Sequence, residues 1–107
     1  MRMSVFCRVA ALLAPAMFAS VPAIAASGRG EALAAQWCSS CHAVKSGQTS
    51  PNPKAAPFPK IAAEPTATEY GLRVFLKTTH ATMPNYKIDP DDIDDLVGYI
   101  RSLAPKQ

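Results

Sequence analysis

The most regular run of apolar positions lies near the C-terminus, where Ile93, Leu96, Val97, Ile100 and Leu103 recur at three- and four-residue spacing. Asp89-Pro90-Asp91-Asp92 comes just before it: Asp89 is placed to cap a helix, Pro90 suits its first position, and the carboxylates favour the positive end of its dipole. Pro105 follows the stripe. A second helix is expected to open at Thr66-Ala67-Thr68-Glu69, which has capping-box spacing, and to run to about Thr78 with Leu72, Phe75 and Leu76 on one face. A third pattern, over residues 28 to 40, puts Leu33, Ala34 and Trp37 together and leaves Cys38 in the last turn. No alternating strand pattern of useful length occurs. The domain is therefore expected to be all-α, with three main helices joined by irregular loops.

Between Val44 and Pro65 the helical pattern stops, and Pro51, Pro53, Pro57, Pro59 and Pro65 with Gly47 predict an irregular connection. A loop of about twenty residues is unusual in a small domain unless it wraps something. Phe58 and Ile61 support wrapping, since a segment left in water has no use for them. Thr79 to Ile88 forms a shorter loop that presents His80 and Met83.

The first twenty-five residues read as a secretory signal, with Arg2 and Arg8 near the start, an apolar run from Val9 to Val21, and Ala23-Ile24-Ala25 as the cleavage site. The alternative, a retained anchor, is opposed by Pro15, Ser20 and Pro22 and by a run shorter than the roughly 20 residues of a span. No stable membrane span is expected after cleavage. Residues 26–107 then form one small exported domain, too short to build more than a marginal core from its own apolar surface. Removing Arg2 and Arg8 from 11 basic residues leaves nine against 8 acidic ones, so the exported chain is near neutral and nothing suggests nucleic acid.

Cys7 leaves with the signal, and the two remaining thiols fall in Cys38-Ser39-Ser40-Cys41-His42. Two thiols two residues apart, with a histidine beside the second, have the spacing for haem attachment: each thiol adds to one vinyl group and the imidazole ligates the iron. A dithiol redox site would want a βαβ setting, and zinc would need more ligands than His42 and His80 supply. Met83 is the methionine that remains beyond the signal, and its thioether is the candidate for the second axial position. His80 is the competing ligand. A buried macrocycle would supply the apolar volume that the small core lacks, so folding is expected to be coupled to its attachment.

With the motif, Met83-Pro84, and a terminal helix reading Asp-Asp-Leu-Val-Gly-Tyr-Ile in this order, the chain resembles the class I c-type cytochromes over essentially its whole exported length. The resemblance implies one covalent haem c, thioether bonds at Cys38 and Cys41, His42 as proximal and Met83 as distal ligand, and Pro57 as the residue whose carbonyl accepts the proton of the proximal ring's other nitrogen. It implies too that Gly30 sits where the first helix crosses the last, facing Leu96 and Tyr99. The function implied is electron transfer rather than enzymatic turnover, from a dehydrogenase or quinol-oxidising complex to an oxidase or reductase. The alternatives are the haem subunit of a periplasmic dehydrogenase complex, and a small haem peroxidase or gas-binding sensor with a labile distal ligand. Of the lysines that could steer an acidic partner, Lys45 and Lys87 lie nearest in sequence to the two ligands, and Asn85 or Tyr86 could bond the methionine sulfur.

Overall fold

Residues 24–106, which a computed structural model describes, contain four helices and no strand: α1 (Ile24–Trp37), α2 (Phe58–Ala63), α3 (Glu69–Lys77) and α4 (Pro90–Ser102). The leader expected over residues 1–25 lies outside the described residues, apart from its last two positions, which open α1.

α4 is the centre of the core. Ile93, Leu96, Val97, Tyr99 and Ile100 are all buried, as the three- and four-residue spacing requires, and Leu96 and Val97 are the largest side chains removed from solvent altogether. Each such aliphatic side chain contributes about 1.5–3 kcal/mol on burial. Asp89 stands at the N-cap with Pro90 in the first turn, but its side chain makes no capping bond. Asp92 and Asp95 instead pair with Arg29 on α1, and Asp94 pairs with Arg73 on α3. The acidic start of α4 thus ties it to its neighbours in addition to offsetting its dipole.

α4 packs most extensively on α1, then on α3 and α2. The crossing with α1 is close because Gly30 has no side chain: a Cβ there would lie 2.7 Å from Tyr99 Cβ and would run into the Asp95 carbonyl. Tyr99 faces Gly30 as expected, and the Asp95 main chain comes closer still. Ala34, one turn on, is fully buried beneath the same crossing.

α1 ends at Trp37 rather than at residue 40. Ser39 turns its hydroxyl back to the Ala35 carbonyl at 2.5 Å, the local bonding by which serine competes with a helix. α3 begins at Glu69, with its N-cap two residues later than the capping box predicts. Thr68, not Thr66, is the N-cap, its hydroxyl accepting from Gly71 N at 3.0 Å, and Gly71 leaves room for the Thr66 carbonyl that folds over this turn. Glu69, freed from the box, pairs with Arg73 one turn on and with Arg101 of α4. Of the expected apolar face of α3, Leu72 is buried and Leu76 half-buried, but Phe75 is 47% exposed.

The proline-rich connection is not wholly irregular. Pro57 caps α2 and Pro59 occupies its first turn, the helical position that tolerates a residue with no N–H, so prolines that read as breakers start a helix here. α2 buries Phe58 and sets Ile61 against the core, the use expected of both.

Two glycines of α1 are predicted to respond oppositely to the same change. Gly30→Ala should lower stability by about 1–3 kcal/mol, because the α1–α4 crossing must open. Gly28→Ala, where an added Cβ meets nothing within 4 Å, should raise it by up to about 1 kcal/mol by restricting the unfolded chain. Denaturant titration of the haem-loaded protein measures both, and a stability loss in Gly28→Ala matching that in Gly30→Ala would overturn the close-crossing account.

Candidate haem site

The motif follows α1 directly and continues its curl. Cys38 N bonds Ala34 O at 2.9 Å, while Cys41 N and His42 N both reach Cys38 O, at 3.2 and 2.8 Å. One turn therefore carries both thiols and the imidazole. The thiols are free and half-buried, and burial pushes the Cys38 thiol above its ordinary range. A redox dithiol depends on the reverse shift, so that alternative gains nothing here.

His42 donates from Nδ1 to the Ala56 carbonyl at 2.6 Å. That bond fixes the tautomer and leaves the lone pair of Nε2 for a metal. The acceptor corrects the expectation of Pro57 by one residue: as N-cap of α2, Pro57 gives its own carbonyl to Lys60 N and Ile61 N, both at 3.0 Å. The last carbonyl outside the helix is then Ala56's. Phe58, at the start of α2, sets its ring 5.5 Å from the imidazole.

The connection is held over the motif by bonds from both ends. Asn52 N donates to Cys41 O at 3.1 Å, Ala43 N to the Ser50 hydroxyl at 2.9 Å, and Phe58 N to Ala43 O at 2.9 Å. Tyr99 of α4 adds a buried bond, its hydroxyl donating to Val44 O at 2.7 Å. Helix periodicity places Tyr99 near the core but does not announce this hydroxyl's partner.

Met83, half-buried, closes a tight turn with His80 through an isolated backbone bridge. The His80 ring stacks on Phe75 with centroids 3.6 Å apart, and its Nε2 donates to the Phe75 carbonyl at 2.9 Å. Thr78 Oγ1, 3.2 Å from that nitrogen, donates to the same carbonyl. Past the turn, Tyr86 stacks on Trp37, with centroids 6.1 Å apart and planes 23° from parallel. The Met83 loop is thereby joined to the residue preceding Cys38. Among the described residues no hydrogen bond reaches the Met83 sulfur, so the expectation that Asn85 or Tyr86 would supply one is not met; the Tyr86 ring is on Trp37.

Lys45 pairs with Glu31 at 2.6 Å, both side chains remaining largely exposed. Lys77 and Lys87 make no ion pair among the described residues, and both border a cleft of about 270 Å³ lined with Leu76, Tyr86, Ile88 and Ile93.

The donor set fits a covalent haem: two free thiols and a tautomer-locked imidazole on one turn, with a thioether in a loop tied back to that turn. The comparisons agree. Residues 25–100 match the family described as cytochrome c oxidase, cbb3-type, subunit III. The chain is 34% identical over 94 residues to cytochrome c-552 of Bradyrhizobium diazoefficiens, covering 88% of this chain and 90% of that protein. No solved structure matches.

Tyr99→Phe is predicted to cost about 1–2 kcal/mol, since the Val44 carbonyl is left buried without its donor. Burial also raises the Tyr99 phenol above its ordinary range. The native state therefore resists ionisation: the stability it holds below about pH 10, the ordinary phenol value, is lost as pH rises through the raised one. Thermal melts across that range should show a shallower alkaline decline in the phenylalanine variant than in the parent, and equal slopes would overturn the assignment.

Proposed function

The chain belongs to the c-type cytochromes, in the family described as cytochrome c oxidase, cbb3-type, subunit III, and from that premise we propose that it is an exported electron carrier with His42 and Met83 as axial ligands. Its cofactor is covalent haem c, and its role is electron transfer with redox partners. The bound haem supplies a one-electron couple. What the chain's own residues do around it follows from their bonds.

The observation that carries the reading is the His42–Ala56 bond. With Nδ1 donating to a carbonyl, the imidazole presents Nε2 as a basic nitrogen in a fixed orientation, as a permanent ligand must. On the other side, His80 has its Nε2 committed to Phe75 and its ring stacked there. Ligation through that nitrogen would break both contacts, and this favours Met83. A neutral thioether stabilises the reduced metal and raises the potential, which suits a carrier late in an electron chain. With His42 and Met83 both holding the bound metal, no position would be left for a substrate to coordinate, which suits electron transfer without substrate binding at the metal. The same commitment of His80 leaves the peroxidase or sensor reading without a distal acid and base.

Export is supported by the basic, apolar and small-residue segments of residues 1–25, and among the described residues no helix is long and apolar enough to cross a membrane. A second reading, a carrier held permanently as a haem subunit of a larger complex, is favoured by the family description, which names an oxidase subunit. Co-purification from membranes separates the two.

The ferric protein is predicted to show the weak long-wavelength absorption band of sulfur bound to iron, and Met83→Leu to abolish it while keeping a c-type ferrous spectrum. A parent protein without the band would sink Met83 ligation. Lys77 and Lys87 are proposed as the charges that steer an acidic partner. Reversing both to glutamate should slow electron transfer at low salt and flatten its ionic-strength dependence; an unaltered dependence would remove them from docking.

A further inference from the structure

The Met83 loop is pinned at two points, one on each side of the ligand. Three residues before Met83, His80 bonds the Phe75 carbonyl at the end of α3 and stacks on the Phe75 ring. Its main chain pairs with Met83 itself. Three residues after, Tyr86 stacks on Trp37, the last residue of α1 and the neighbour of Cys38. The loop between has little else to hold it: Ala81, Thr82, Pro84 and Asn85 are exposed, and Met83 is half-buried.

Phe75 and Tyr86 each have one face covered by a ring from the other side of the contact they make.

We propose that the Phe75–His80 and Trp37–Tyr86 stacks are a two-point clamp that positions Met83, so that His80, Trp37 and Tyr86 are positioning residues for the distal ligand. The inference rests on the Met83 reading above and deepens it. A thioether is a weak, neutral ligand, and whether it stays on the metal or yields to an outside ligand depends on how far the loop free energy favours the closed position. The clamp sets that preference. One stack refers the loop to the end of α3 and the other to the turn that carries Cys38, Cys41 and His42, so the two ligands share a frame through Trp37.

The test uses the haem-loaded protein with Tyr86→Leu, Tyr86→Phe and His80→Ala, titrated in the ferric state with imidazole, which competes for the distal position. An aromatic pair is worth enough to change imidazole affinity about three- to tenfold. Tyr86→Leu and His80→Ala are expected to tighten imidazole binding by that factor each, and Tyr86→Phe, which keeps the ring, to restore parental affinity. Hydrogen exchange over residues 79–88 is expected to speed in the same two variants while α1 and α4 stay protected. Parental imidazole affinity and parental loop exchange in both variants would overturn the clamp. If the parent lacks the sulfur band, Met83 ligation falls, and loop exchange still decides whether the two stacks hold the segment.

Discussion

The structure depends on the close approach of α1 and α4 at Gly30. With no side chain at that position the Asp95 carbonyl and Tyr99 come against the α1 backbone, and the rest follows from where this puts the two ends. The turn that follows α1 carries Cys38, Cys41 and His42, and the adjacent face of α4 carries Tyr99, whose hydroxyl reaches Val44 just beyond the motif. Widening the crossing would move that hydroxyl away from the motif's exit. The ion pairs of Arg29 with Asp92 and Asp95 flank the crossing but are solvent-exposed on the arginine side, so close packing decides its geometry and the charges add little.

From this frame the cofactor's surroundings are assembled in two pieces with different bonding. The proximal piece is hydrogen bonding, mostly to the main chain: Cys41, His42 and Ala43 exchange bonds with a proline-rich segment that has few backbone donors of its own. The distal piece is aromatic stacking and a single turn. Hydrogen bonds made by a restricted segment give a rigid setting, and two ring stacks flanking a short loop a softer one. That difference would suit the proposed pair of ligands, a permanent imidazole from His42 and a weaker thioether from Met83 held by its loop.

Much of this was legible in the amino-acid order, and the rest failed for identifiable reasons. α4 was readable because its apolar spacing, Pro90 and acidic first turn all point one way. The cofactor motif was readable because its chemistry fixes both residue types and their spacing. α2 was hidden because prolines at a helix start look like prolines that break one until Phe58 is seen to be buried. The α3 boundary slipped because Thr66 and Thr68 both precede Glu69, and only the fold shows which hydroxyl reaches Gly71. Phe75 was assigned to the core by periodicity alone, whereas its ring serves His80 at a helix end. Ala56 could not be found at all, since its role belongs to its carbonyl and every residue has one.

That last point bears on how the setting of His42, the proposed proximal ligand, can change over time. Because the acceptor for His42 is a peptide oxygen, replacing the Ala56 side chain leaves the acceptor in place. The basicity of the imidazole is thus shielded from most point substitutions at that position. Changes to that bond would come instead from shifts of the backbone around Pro57, which sets where the Ala56 carbonyl points.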